Sequence, residues 1–274
     1  MPETIKIIFA GEGGQGIQAL AKIVATAAAD SGQQASYISV FGVEQRGTPS
    51  LAFVTLSQED EIRYPRFAKA DWAIILQPRA FLAAKPYLKP GTQIIFDCSA
   101  MSRQEIPSDF REVNGLPANQ WANEKFNAKA SNLIFAGKLT EKLGLPTEKT
   151  WQAIKAIFSK KISDPKFETN ARAAFELGQQ AVLIVKDFPA PKWRPQQKNQ
   201  TKTVNGKTAT VFSNRCKGCG LCVEQCPVGA LTLNPQHLGY FATPLPEVDL
   251  NKCTACDVCS RLCPDKAIEI KKEK

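Results

Sequence analysis

Thr4–Gly16 reads TIKIIFAGEGGQG, and the order of its parts sets the fold of the first half of the chain. Thr4–Ala10 is an apolar run of strand length, rich in β-branched residues. Gly11-Glu12-Gly13-Gly14-Gln15-Gly16 then turns the backbone. Beyond it Ile17, Leu20, Ala21, Val24 and Ala28 fall on one face at helical spacing. Gly32 is placed to stop that helix. Strand candidates follow at Ala35–Ser39, Leu51–Leu56, Trp72–Leu76 and Gln93–Asp97. Strand, glycine turn, helix, strand predicts an α/β domain with a mostly parallel sheet. Helical periodicity then occupies Ala130–Leu143, Glu148–Lys160 and residues 167–186, so a first domain over 1–186 ends in helices. Residues 187–203, rich in Pro, Lys and Gln, read as an extended linker. A second domain over 204–274 opens with a strand or hairpin at Val204–Phe212 and closes on a frayed tail, Lys271–Lys274.

The chain has 274 residues, 43% of them hydrophobic, enough for one sizeable core and one small one. Its net charge is +9, and almost all of the excess lies in the first domain and linker. From Asn214 onward eight Lys and Arg face seven Asp and Glu; the rest carries 27 against 19. No nucleic-acid motif accompanies this basic excess, so nucleic acid is not expected as a partner. A basic surface suits acidic protein partners or a phosphorylated cofactor. No apolar run reaches the length of a membrane span, and the N-terminus carries no charged-then-apolar signal pattern. A reducing cytoplasm is the expected location.

Two loops are candidate sites in the first domain. Gly11, Gly13, Gly14, Gln15 and Gly16 stand where a Rossmann-like sheet receives a phosphate, with helix N–H groups pointing at the ligand. A tight turn packed on a neighbouring subunit is the competing reading. The acidic residue that would hold a ribose after the second strand is missing, where the chain reads Tyr37-Ile38-Ser39-Val40-Phe41. That argues against NAD or FAD. The second loop, Phe41–Pro49, reads FGVEQRGTP; Arg46 is a candidate for an anionic group and Glu44 for orienting it. An internal Glu44–Arg46 pair that merely shapes the loop is the alternative. Cys98 ends an apolar strand and reads as a buried free thiol.

Eight cysteines near the C-terminus form two matching runs. CKGCGLCVEQCPVGAL at Cys216–Leu231 repeats as CTACDVCSRLCPDKAI at Cys253–Ile268. The C-x-x-C-x-x-C-x-x-x-C-P spacing is that of bacterial ferredoxins with two [4Fe–4S] clusters. Their crossed wiring assigns Cys216, Cys219, Cys222 and Cys263 to one cluster, and Cys226, Cys253, Cys256 and Cys259 to the other. Zinc is disfavoured because the chain has a single His, His237, and zinc sites pair two knuckles or add histidines. The expected second domain is therefore an α+β dicluster ferredoxin module passing single electrons.

GEGGQG followed by GVEQRGTPS resembles the gamma subunit of 2-oxoacid:ferredoxin oxidoreductases. That family has a G-x-G-G-Q-G loop and a G-x-E-x-R-G-G loop; Thr48 stands here where a second glycine is usual. The resemblance runs on through Ala70-Asp71-Trp72-Ala73, through Asn132 and Gly137 of an N-x-x-x-x-G segment, and through Asn170–Gly178. The ferredoxin part is similar to the delta subunit of the same enzymes, so the whole chain reads as a gamma–delta fusion. The resemblance implies a complex that oxidatively and reversibly decarboxylates a 2-oxoacid on thiamine diphosphate with Mg2+, both held by alpha and beta subunits that usually carry a further [4Fe–4S] cluster. Coenzyme A takes the acyl group, and ferredoxin or flavodoxin takes the electrons. This chain has no G-D-G…N thiamine motif and is expected to be inactive alone, with Glu44, Arg46 and Gly47 as candidate gate residues. Pyruvate is the first expectation for substrate; branched-chain 2-oxoacids, 2-oxoglutarate, oxalate and aryl glyoxylates stay open. A non-catalytic electron-transfer adaptor, an α/β docking module fused to a ferredoxin, is the alternative.

Overall fold

The structure is a computed structural model that describes residues 4–13, 15–40, 49–58, 61–62, 64–110, 112–127, 130–186, 199–238 and 244–272. The second loop, with Glu44, Arg46 and Gly47, lies outside the described residues, as does Gly14. The chain divides into two compact units.

The first unit is built on a six-stranded sheet. β1 (Thr4–Glu12) leads through the glycine loop into α1 (Ile17–Ala29), and β2 (Gln34–Val40) and β3 (Pro49–Ser57) follow. β4 (Trp72–Ile75), α2 (Pro78–Ala84), β5 (Gln93–Phe96), β6 (Val113–Gly115) and α3 (Ala118–Lys125) complete the sheet region. The strand order is β2-β3-β1-β4-β5-β6. β1, β4, β5 and β6 are parallel neighbours, as expected. β3 departs from a simple parallel winding: it runs antiparallel between β1 and β2, so α1 carries the chain to an edge strand.

Both faces of this sheet are buried, and alternation along the strands sorts the side chains. Ile5, Ile7 and Phe9 join one core with α1, while Ile8 and Ala10 join the other with α2. In β3, Ala52, Val54 and Leu56 face the first core and Leu51 and Phe53 the second. The first core is closed by α4 (Ser131–Lys142), α5 (Thr147–Ile157), α6 (Ser159–Ile162) and α7 (Pro165–Gln180). α7 starts on a sharp signal: Asp164 accepts the Lys166 N–H at 3.0 Å and Pro165 takes the first helical position.

α4 and α7 touch through their glycines. A Cβ at Gly137 would drive into the Phe175 carbonyl, and one at Gly178 into the Ile134 carbonyl. The backbones approach that closely because neither residue has a side chain. At the start of β4, Asp71 accepts the Lys6 N–H at 3.0 Å and the Lys89 ammonium at 2.7 Å, which pins β1 to its parallel neighbour.

Three expectations are corrected. The last helix ends at Gln180, not 186, because Ile184 leaves it to exchange backbone bonds with Gly115 at the sheet edge. In the second unit β7 (Gln200–Val204) pairs antiparallel with β8 (Lys207–Val211), so the hairpin begins inside the segment read as linker. β11 (Ile268–Lys272) pairs with β8, so Lys271 and Lys272 belong to a strand rather than a frayed tail. β9 (Leu231–Leu238) and β10 (Pro244–Val248) form a second, two-stranded sheet.

Candidate functional site

The repeat in the second unit is a repeat in backbone shape. Gly218 and Gly220 lie at φ 65° and 80° in the first loop; the matched Ala255 and Asp257 lie at 57° and 63° in the second. Left-handed backbone costs a non-glycine residue roughly 1–2 kcal/mol, so the second loop is held to this shape by what surrounds it. Such turns aim successive N–H groups inward, as an anion-binding concavity does. Ala230 and Ala267 occupy matched places after the fourth cysteines: their N–H groups reach Cys226 Sγ at 3.2 Å and Cys263 Sγ at 3.1 Å. Short helices α8 (Leu221–Glu224) and α9 (Val258–Leu262) carry the third cysteine of each run, Cys222 and Cys259.

Two cavities result. One is lined by Cys216, Cys219, Cys222 and Cys263. The other is lined by Cys226, Cys253, Cys256 and Cys259. Each takes three thiols from one run and its fourth from the other. Apolar walls complete them, with Leu221, Leu233 and Ile268 at the first and Leu231 and Ile270 at the second. Among the described residues no three His, Cys, Asp or Glu close on a single ion. Four thiols spread around a cavity fit a cluster with several irons and not one tetrahedral metal.

Electrostatics favours the same reading. Burial pushes the Cys222 thiol up to about 12 and Cys216 up to about 11, with neighbouring cysteines adding to both. Burial raises Cys259 as well. Exposed Cys256 is lowered, chiefly by the N–H of Val258. Thiolates are therefore unfavourable together in these cavities unless a positive metal centre offsets their charge.

In the first unit the glycine loop is a turn in which Gln15 N–H reaches the Glu12 carbonyl at 3.1 Å and the Gln15 side chain accepts the Glu12 N–H at 2.8 Å. Glu12 is buried and lies 3.7 Å from Arg79 of α2, across the boundary where successive helices change faces of the sheet. Gly11 packs against Ile17, and Gly13 is exposed. Gly16, at φ 74°, caps α1 without a side-chain bond, and a Cβ there would strike the Asn132 amide. Gln15 and Gly16 open on a pocket with Asn132, Lys161 and Asn170 in its lining. Asn132 is 5% exposed and its Oδ1 has no partner. Asn132 and Asn170 were legible only as family pattern; the cavity beside Gly16 is what gathers them. The register pairs Glu12 with Pro49, so the second loop returns to the sheet beside the glycine loop.

Cys98 is a buried thiol pushed up to about 12 by burial and by neighbouring Asp97. Asp97 is itself buried and serves α3: it accepts the N–H groups of Ser99 at 3.0 Å and Asn119 at 2.9 Å.

Comparison with known proteins gives two matches within the chain. Residues 6–181 match the family described as pyruvate ferredoxin/flavodoxin oxidoreductase, and residues 215–267 match the 4Fe-4S dicluster domain. The chain belongs to the pyruvate ferredoxin/flavodoxin oxidoreductase family. It is 30% identical over 183 residues to 2-oxoglutarate synthase subunit KorC of Archaeoglobus fulgidus, covering 65% of this chain and 90% of that protein. Pyruvate synthase subunit PorC of Methanothermobacter marburgensis is 27% identical over 175 residues, covering 63% and 96%. The keto/oxoacid ferredoxin oxidoreductase gamma subunit from Geobacter sulfurreducens shares the fold, with a TM-score of 0.54 at 22% identity over 64% of this chain and 94% of that one. This family member thus joins a gamma-type domain to a dicluster domain in one polypeptide. Among the described residues no helix is long and apolar enough to cross a membrane.

Proposed function

We propose that this chain is the gamma–delta subunit of a thiamine-diphosphate-dependent 2-oxoacid:ferredoxin oxidoreductase, and that it carries electrons out of the complex. The observation that supports it most is the sorting of eight thiols into two groups of four, each crossing between the runs. Cys216, Cys219, Cys222 and Cys263 would hold one [4Fe–4S] cluster, and Cys226, Cys253, Cys256 and Cys259 the other. Bound there, the clusters supply one-electron redox chemistry. The chain's own residues shape the cavities, donate N–H bonds to sulfur and exclude water.

Decarboxylation on thiamine diphosphate and Mg2+ falls to alpha and beta partners with their own cluster, so the isolated chain is inactive. Residues 1–186 serve as the gamma-type domain and 200–274, from β7 onward, as the ferredoxin module, joined by the segment between them, in a cytoplasmic complex that passes electrons to ferredoxin or flavodoxin. Pyruvate is the proposed 2-oxoacid. Coenzyme A is the proposed acyl acceptor, with Gly11, Gly13, Gly14, Gln15 and Gly16 in the loop that meets its anionic part. The N-terminus of α1 and Lys161 in the same lining support that placement. Glu44, Arg46 and Gly47 are proposed as a gate beside it. The test is anaerobic affinity purification, followed by assay of the recovered complex against a panel of 2-oxoacids with coenzyme A. Co-purification of thiamine-binding alpha and beta chains with 2-oxoacid-dependent ferredoxin reduction is expected. Capture of some unrelated redox enzyme alone would leave the adaptor reading in its place.

A further inference from the structure

The two thiol groups are built on one repeat, but their linings differ in charge at matched places. In the first, Lys217 and Asp265 form an ion pair, with Nζ 3.0 Å from Oδ2. They are the two charged residues of that lining. They cross between the runs as the thiols do: Lys217 follows Cys216, and Asp265 follows Cys263-Pro264. The repeat matches Lys217 to Thr254 and Asp265 to Val228, and both of those residues line the second cavity. Among the described residues the second lining holds no cation, and its one acid, Asp257, is half-exposed.

The fold does not depend on the ion pair, because the second group makes the same crossing with a threonine and a valine at these places. Taking two charges out of water is costly, and apolar replacement of such a pair is often neutral or stabilising. Charge, rather than packing, is what these two residues bring to the first site. The pair is also lopsided towards water. The Lys217 side chain is 2% exposed and the Asp265 side chain 22%. Water screens the carboxylate more than the ammonium, so the field inside the cavity is that of the cation, weakened by its partner. One-electron reduction makes a cluster more negative, and a desolvated cation beside it favours that state.

We propose that Lys217 raises the reduction potential of the first cluster and that Asp265 limits the rise. Lys217 is then a tuning residue of the relay. It favours residence of an electron at the first site, where the matched place at the second offers only the Thr254 hydroxyl. Reduction there adds one electron to the cluster, supplied by oxidation of the 2-oxoacid in the partner chains. No bond in this chain is made or broken.

The inference rests on the two-cluster reading above, and its test needs only this chain. The full chain is purified anaerobically, its iron is counted, and a potentiometric titration is followed by electron paramagnetic resonance. Lys217→Met should lower the midpoint of one cluster. Asp265→Asn should raise the midpoint of that same cluster, and the other cluster should stay in place in both variants. Asp265→Asn decides the matter if Lys217→Met loses iron, since Asn keeps the shape and an acceptor for the ammonium. Shifts of the same sign, shifts in different clusters, or midpoints unmoved at full iron content overturn the proposal. Loss of iron in both variants overturns it as well, because the pair would then be a structural brace. A wild-type count well short of about eight irons sinks the two-cluster reading, and the inference with it.

Discussion

The first unit buries a six-stranded sheet on both faces, and its largest enclosed side chains are Phe9, Phe53, Phe96, Phe135 and Phe175. The second unit has one small core in which Cys216, Cys253 and Cys259 are themselves buried members beside Ala209, Val211, Leu231 and Ile270. One unit is held by aromatic and aliphatic packing, the other by side chains whose main partners are meant to be iron. The difference teaches where each unit can be broken. Small domains need staples, and here the staple is also the cargo-handling group.

The largest expected effect follows directly. Chelating the iron should unfold the second unit and spare the first. Amide hydrogen exchange should show protection lost across β7–β11 and kept across β1–β6 and α1–α7. Equal loss in both units would mean that the first depends on iron too.

A smaller, purely steric break targets the first unit. Gly137→Leu pushes a side chain into the Phe175 carbonyl of α7, and overpacking of this kind typically costs about 1–3 kcal/mol or more. Denaturation followed by tryptophan fluorescence in a Trp193→Phe background reads this unit alone, since the other tryptophans, Trp72, Trp121 and Trp151, all lie in it. Iron content should be unchanged. A variant as stable as the wild type would contradict the close α4–α7 contact.

The smallest effect is a pH dependence. Burial pushes the Asp97 carboxyl up to about 6, against the donors at Ser99 and Asn119 that pull it down. A raised carboxyl favours folding while it is protonated. Its contribution should therefore shrink as pH climbs towards and through about 6, by at most about 3 kcal/mol from the linkage. Thermal melting of the first unit between about pH 4 and 7 should show this slope, flattening above the folded value of about 6, and Asp97→Asn should remove it. An Asn variant with the same slope would assign the dependence elsewhere.

How much of this was legible depended on the length and repetition of the signal. β1, the glycine turn and α1 declared themselves because a strand-length, β-branched apolar run, a glycine turn and a thirteen-residue helix with one apolar face follow in order. β6 is three residues long and α3 eight, too short to show a period of their own. Both exist because Ile184 and the Asp97 carboxylate reach them from elsewhere. The antiparallel insertion of β3 was illegible for a different reason: a two-sided apolar strand looks the same in either direction. The cysteine groups were legible because a doubled spacing is rare. The cavity beside Gly16 was not, since Asn132 and Asn170 lie more than a hundred residues away along the chain and meet it only through the packing of α4 on α1 and of α7 on α4.

The central claim is two iron–sulfur cubes seated in crossed groups of thiols. The most direct measurement compares anaerobically purified wild type with Cys226→Ser by iron count and electron paramagnetic resonance. Wild type should hold about eight irons and show two clusters that become paramagnetic on reduction. Cys226→Ser should alter the cluster bound by Cys253, Cys256 and Cys259 and leave the other intact, although Cys226 belongs to the first run. Damage to the Cys216–Cys222 cluster instead, or a wild-type chain loaded with zinc, would contradict the account.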